Sequence, residues 1–154
     1  MSENRSGESI EEYLNQHETL TYRNVGVSML PMLRQGRDLF TLKRKSEERC
    51  KKYDVVLYRK TPQTYILHRI IKVRPNDYVL LGDNCYSKEY GVKDQSILGV
   101  MTSFVHNGKS ISIDNLGYRI YVRVWFFLYP LRKAYKWIGS VGSRILRKIG
   151  VRNS

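Results

Sequence analysis

The chain has 154 residues, 42% of them hydrophobic, and a formal net charge of +13. That length builds one cored domain with room for an appended segment, and the ordinary apolar content excludes wholesale disorder. Two cysteines, Cys50 and Cys85, exclude a disulfide framework and stand in no metal-ligand spacing, so free thiols in a reducing compartment, with no metal and no cofactor, are expected.

Residues 1–20 carry five glutamates against one arginine, which is not the composition of a secretory signal or a transit peptide. Within them Ser9 precedes Ile10-Glu11-Glu12 as an N-cap with acids in the first turn. Ile10, Tyr13, Leu14 and His17 follow at helical spacing, predicting a short acidic helical segment that packs on the core or docks a partner. In the next stretch, Asn24-Val25-Gly26-Val27-Ser28-Met29-Leu30-Pro31-Met32-Leu33, proline restricts its own φ and pushes the preceding residue out of the helical region. Gly26 is expected to allow a close backbone approach. The result is a stiff loop presenting the Ser28 hydroxyl, although Gly-x-Ser alone is a common loop signature.

Strands are predicted over residues 38–43, 54–59, 65–73 and 78–81, with a charged loop at 43–52 and turns at Thr61-Pro62 and Pro75-Asn76-Asp77. Residues 99–106 and 109–113 flank Asn107-Gly108, a strong hairpin signal. His68 falls inside one predicted strand, and Asp83 in the Gly82-Asp83-Asn84 turn that ends another. Serine, histidine and a carboxylate are the residue types that acyl transfer requires, although their spacing does not show that they converge.

Taken in order, Gly26-Val27-Ser28-Met29-Leu30-Pro31, Gly36, Tyr53-Asp54-Val55-Val56-Leu57-Tyr58, Leu67-His68-Arg69-Ile70-Ile71, Leu81-Gly82-Asp83-Asn84 and Ile97-Leu98-Gly99-Val100 resemble the boxes of the signal-peptidase superfamily, which also contains self-cleaving SOS repressors. Where bacterial leader peptidases carry a lysine base, this chain has His68, as in the endoplasmic-reticulum and archaeal type. Gly36-Arg37-Asp38 is one residue longer than the family's Gly-Asp, and Cys85-Tyr86-Ser87-Lys88-Glu89 replaces its acidic pair. The resemblance implies a mainly β fold of coiled, barrel-like sheets over residues 21–116. It also implies a serine endopeptidase that cuts a leader or signal-type peptide after small residues, with Ser28 as nucleophile and His68 as base. Asp83 is the expected third residue, ahead of Glu89 and Asp94; a Ser-His dyad without an acid is the remaining alternative. Met29 and Pro31 are candidates for the substrate cleft, and core packing competes for Met29 and Met32.

After Asp114 the chain has nine lysines and arginines and no acid. Residues 121–131 are aromatic but interrupted by Arg123 and Pro130. Beyond Pro130, Leu131, Ala134, Tyr135, Ile138, Val141, Ile145, Leu146 and Ile149 form an apolar stripe among basic residues, with Trp137 as a headgroup-level anchor. Residues 117–154 therefore read as a basic, aromatic, amphipathic helical tail. No stretch approaches the ~18 uncharged apolar residues of a membrane span. A cytoplasmic protein held peripherally on an anionic membrane surface is expected. The competing readings are a non-catalytic regulatory or binding protein of the same fold, and a nucleic-acid-binding protein using the tail. The bulky apolar face and the absence of a recognition motif count against nucleic acid.

Overall fold

The computed structural model describes residues 9–135, and the chain divides between Arg119 and Ile120 into two units. The first opens with α1 (Ile10–Gln16). Ser9 Oγ accepts from the Glu12 N–H (3.1 Å), and the Glu12 carboxylate accepts from the Ser9 N–H (2.9 Å), a reciprocal capping box. Ile10 and Leu14, on the buried face, pack the helix against the strands that follow.

Eight strands form one antiparallel sheet: β1 (Thr19–Arg23), β2 (Leu39–Arg44), β3 (Val55–Thr61), β4 (Thr64–Val73), β5 (Tyr78–Leu81), β6 (Glu89–Val92), β7 (Ile97–His106) and β8 (Lys109–Ser112). Their order is β1-β2-β7-β3-β4-β5-β6, with β8 paired to β7. The first half of β7 pairs with β3 and its second half with β8, while β2 runs along its other edge. The architecture is thus mainly β, as expected. Among the described residues the path ends at β1 and β6, so the sheet is open, not a closed barrel.

Two strands lie where none was predicted. Thr19–Arg23 alternates exposed and buried positions, and its pairing with β2 puts Thr19 and Leu20 in the sheet instead of in the acidic helical segment. β6 contains a glycine at positive φ and only one β-branched residue, so local propensity does not mark it. At the predicted hairpin, Asn107 and Gly108 both have positive φ (51° and 76°), as a primed two-residue turn requires.

One sheet face carries a core of Val56, Tyr58, Ile70, Tyr78, Leu80 and Ile97, joined by Cys50 and Val92. In the β3–β4 pair Val56 lies opposite His68 and Tyr58 opposite Ile66, so His68 belongs to this face. Arg69, its neighbour in the strand, points to the other.

After β8, the Asn115 side chain accepts from the Tyr118 N–H (3.2 Å) and starts α2 (Leu116–Phe127). The aromatic stretch before Pro130 is therefore helical, and helical backbone resumes at 129–135 after a turn at Leu128. Pro130 sits at the start of that second run, where its missing N–H removes no helical bond. Trp137 and the predicted stripe from Ile138 onward lie outside the described residues. Among the described residues no helix is long and apolar enough to cross a membrane.

Candidate active site

Ser28 sits in the loop between β1 and β2, which two buried side chains tie at its ends. The Asn24 amide donates to the carbonyls of Gly26 (3.0 Å) and Leu33 (3.3 Å). Asp38 accepts from the Arg34 N–H (2.9 Å) and from Arg37 Nε (2.6 Å), and it lies 2.9 Å from His106 Nδ1. Burial opposes ionisation of Asp38, yet the bonds from Arg37, Arg34 and His106 hold its carboxyl down to about 2. The Leu30–Pro31 peptide is cis.

Two expectations for this loop are corrected. Gly26 has φ +103° and open space where a Cβ would stand, so it serves a left-handed backbone and no close approach. The Met29 side chain is completely buried, leaving none of it to wall a substrate cleft, while Pro31 is exposed. Met32 is also core, and its sulfur accepts from Arg69 Nη2 (3.1 Å).

The close approach occurs at Gly82, just after β5. A Cβ there would stand 2.7 Å from the Ser28 carbonyl oxygen, 2.8 Å from Cys85 Sγ and 2.9 Å from His68 Nε2. Only a residue without a side chain fits, and the serine loop, the histidine ring and a thiol converge around it. The same turn fastens the loop: the Asn84 N–H donates to the Ser28 carbonyl (2.8 Å), and the Asn84 side chain donates to the Val27 carbonyl (3.2 Å). The structure thus brings the backbone of Ser28 and the Nε2 edge of His68 together.

The opposite edge of the ring faces Glu89. Among the described residues the buried His68 Nδ1 has no hydrogen-bond partner, and Glu89 Oε1 lies 3.7 Å away. β6 explains the placement. Glu89 pairs in register with Leu80, which pairs with Ile70, so its side chain reaches the face that carries His68. Tyr58 donates to Glu89 Oε2, and Lys60 Nζ donates to Oε1 (3.2 Å).

Asp83, expected beside His68, has a different partner. Its carboxylate accepts from Arg69 Nε (2.9 Å) and Nη2 (2.8 Å) in a fully buried bidentate pair. Arg69 also donates to the Tyr118 hydroxyl (2.8 Å) and the Tyr53 carbonyl (3.0 Å). Because adjacent residues of a strand face opposite ways, the carboxylate that meets Arg69 is turned from the face of His68. Asp94 accepts from Tyr78 and pairs with Lys45 (3.1 Å).

Burial pushes the His68 pKa below its ordinary value, and the Lys60 charge adds to this, while Glu89 and more weakly Asp83 oppose it. Glu89 also resists ionisation through burial, but the bonds from Tyr58 and Lys60 and the nearby His68 hold its carboxyl below the usual range. Tyr58 is raised by burial and by donating to Glu89, so it stays a protonated donor. The arrangement is a neutral imidazole with one nitrogen toward the serine loop and the other toward an ionised carboxylate. Such a ring takes a proton from a hydroxyl and returns it to a leaving group. Among the described residues no cluster of His, Cys, Asp or Glu is disposed to hold a metal ion.

The chain matches no family model and no curated protein. Reading from sequence missed Tyr58, Lys60 and the position of Cys85. One local signal existed: Tyr58 and His68 lie on adjacent predicted strands, and antiparallel register sets their rings on one face, with centroids 6.4 Å apart.

Proposed function

We propose that this chain is a serine endopeptidase resembling signal peptidases, with Ser28 as nucleophile, His68 as general base and Glu89 as the carboxylate that orients the base. The observation that carries this reading is the packing around Gly82, where the Ser28 backbone and His68 Nε2 meet over one glycine while Nδ1 faces Glu89. Ser28 Oγ attacks the scissile carbonyl, and its proton passes to Nε2. The imidazolium so formed is stabilised through Nδ1–H by Glu89, and it then protonates the leaving amine. Backbone N–H groups of the serine loop, including that of Ser28, hold the oxyanion; losing one such donor typically costs about two to three orders of magnitude in rate. Water then releases the acyl group by the same steps in reverse. The motif resemblance supports a leader or signal-type substrate cut after small residues.

A peripheral position on an anionic, cytosol-facing membrane leaflet is part of the proposal. In α2, Ile120, Val124 and Phe127 recur at helical spacing and are all exposed, as are Leu131 and Tyr135 beyond it. Arg123 and Lys133 are exposed among them. An apolar helical face flanked by cations suits an anionic interface, where each cation contributes about 1 kcal/mol.

Mass spectrometry of peptides cut by the wild type tests the chemistry. Ser28→Ala and His68→Ala should each remove most of the rate, and the double variant little more, because coupled catalytic groups are non-additive. Substantial cleavage by Ser28→Ala ends the reading. Sedimentation with anionic vesicles and with DNA over a salt series tests the location: vesicle binding at low salt is expected, and preferential DNA binding would replace the membrane with nucleic acid.

A further inference from the structure

Tyr58, Lys60 and Glu89, which meet beside His68 Nδ1, also form part of the wall of a cavity of about 350 Å³. The remaining wall is mostly β6 and the turn after it, including Tyr90, Lys93 and Gln95. His68 does not line it. Of the three cations in the wall, Arg59 is held by the Glu11 carboxylate at 3.0 and 3.1 Å. Lys93 is exposed and makes no ion pair among the described residues. Lys60 is half exposed and bonds Glu89 Oε1, the same oxygen that stands 3.7 Å from His68 Nδ1.

We infer that this cavity binds an oxyanion, a carboxylate or phosphate group, between Lys60 and Lys93, and that its occupant tunes His68 by drawing Lys60 off Glu89. The second half rests on the proposed role of Glu89. At 3.7 Å the Nδ1–Oε1 contact is too long for a hydrogen bond, and Lys60 competes with Nδ1–H for that oxygen. An anion offers Lys60 a second partner of the same charge as Glu89. As Lys60 turns toward it, Oε1 is released to His68 and a positive charge leaves the neighbourhood of the ring. The volume is far greater than the ~30 Å³ share of a single water, so a carboxylate side chain or a phosphate enters with some of its hydration.

The charged and titratable groups around His68 are Tyr58 and Lys60 from β3, Glu89 from β6, and Asp83 and Cys85 from the turn after β5. Of these only Lys60, Glu89 and Tyr58 line the cavity, so an anion there reaches the ring through them. Lys60 thereby becomes a positioning residue, acting on the base through the carboxylate.

The test is amide and histidine-ring NMR on the full chain, titrated with inorganic phosphate, with tri-glutamate and with sodium chloride at matched ionic strength. Saturable shifts at Lys60, Glu89, Gly91 and Lys93 are expected with phosphate or tri-glutamate and not with chloride. Whichever of the two binds more tightly identifies the source of the oxyanion as free phosphate or an acidic chain. Lys60→Met and Lys93→Met, which keep the aliphatic stem, should each weaken binding about tenfold, the effect of one lost charge-assisted hydrogen bond. Lys72→Met, on an exposed position of β4, should leave it unchanged. The bound oxyanion should raise the His68 titration midpoint, and Lys60→Met should raise it without ligand. Equal shifts with chloride, or binding intact in both cavity variants, overturn the site; saturable binding with an unmoved His68 midpoint overturns the tuning. These readouts need no cleavage, so a chain that cuts no peptide but binds the oxyanion fails the peptidase reading alone.

Discussion

His68 turns its buried Nδ1 toward Glu89 Oε1, 3.7 Å away, while Asp83, fifteen positions after it in the chain, is locked to Arg69 by two hydrogen bonds of 2.9 and 2.8 Å. The carboxylate nearer in sequence holds the core, and the more distant one faces the imidazole. The division of labour follows from the pleat, because His68 and Arg69 are consecutive and so address opposite faces of one sheet.

Glu89→Gln and Asp83→Asn should therefore fail differently. Glu89→Gln keeps the fold and lowers turnover by roughly two to four orders of magnitude, since a ring without its carboxylate is misoriented and its imidazolium unsupported. Asp83→Asn leaves Arg69 buried without its counter-charge, a change that typically costs about 3–5 kcal/mol. Thermal unfolding and initial rates at a temperature where both variants are folded separate the outcomes. A stable but inactive Asp83→Asn beside an active Glu89→Gln would return the orienting role to Asp83.

Gly82→Ala should be damaging for its size. The added methyl group would stand 2.7 Å from the Ser28 carbonyl and 2.9 Å from His68 Nε2. The first is backbone held by the Asn84 N–H, so the serine loop and the ring must separate. Overpacking of this kind costs about 1–3 kcal/mol, and a displaced base costs activity beyond that. Gly91→Ala, at a positive φ with open space, should strain the backbone locally and leave the ring in place. Full activity in Gly82→Ala would mean that the two loops do not need their present contact.

The pH dependence has a definite sign. His68 titrates below its ordinary value because burial disfavours the imidazolium, so the unfolded chain takes up its proton first as pH falls. Stability therefore declines as pH drops below about 6.5, and activity rises with pH through a midpoint below that value. Asp38, held at about 2, contributes stability that is full above about 3.8 and is lost as pH falls toward 2. Unfolding curves from pH 1.5 to 8 and rate profiles from pH 3 to 8 check both statements, with His68→Gln removing the upper inflection of stability. An activity midpoint above 6.5 would contradict the burial argument.

Thiol reagents should separate the two cysteines. Cys50 is buried, and its thiol is pushed up to about 11 by that burial, which leaves it a poor nucleophile. Cys85 is partly accessible, with its sulfur at the Gly82 crossing beside His68 Nε2. N-ethylmaleimide should attach to Cys85 first, block cleavage and lose its effect on Cys85→Ala, which itself stays active. If Cys85→Ala is inactive while Ser28→Ala still cleaves, the thiol is the nucleophile.

Much of the fold was legible because it rests on local rules. The Ser9–Glu12 capping box, the Asn107-Gly108 turn and the apolar runs of β2 to β5 and β7 each carry their own signal within a few residues. β1 and β6 do not: one is a short alternation beside a helix, and the other contains a glycine and becomes a strand by pairing with β5. The aromatic stretch before Pro130 is helical, as the expected helical tail requires, and Pro130 falls at the start of a second helical run after a turn at Leu128.

The sequence by itself determined the chemistry on offer: one serine in a stiff loop, one histidine in a central strand, and carboxylates downstream. The glycine and proline constraints on the loop and the apolar frame of the strand are written locally, and the structure brings the Ser28 backbone and His68 Nε2 together at Gly82. Only the tertiary structure decided which carboxylate faces His68. That choice depends on the register of β6 against β5 and on the face to which each residue turns. A one-residue slip would reverse every side chain, so no spacing in the sequence encodes the outcome. The same holds for Gly82, whose need to be glycine comes from the Ser28 carbonyl and the His68 ring, which reach it from other parts of the chain, and from Cys85 in its own turn.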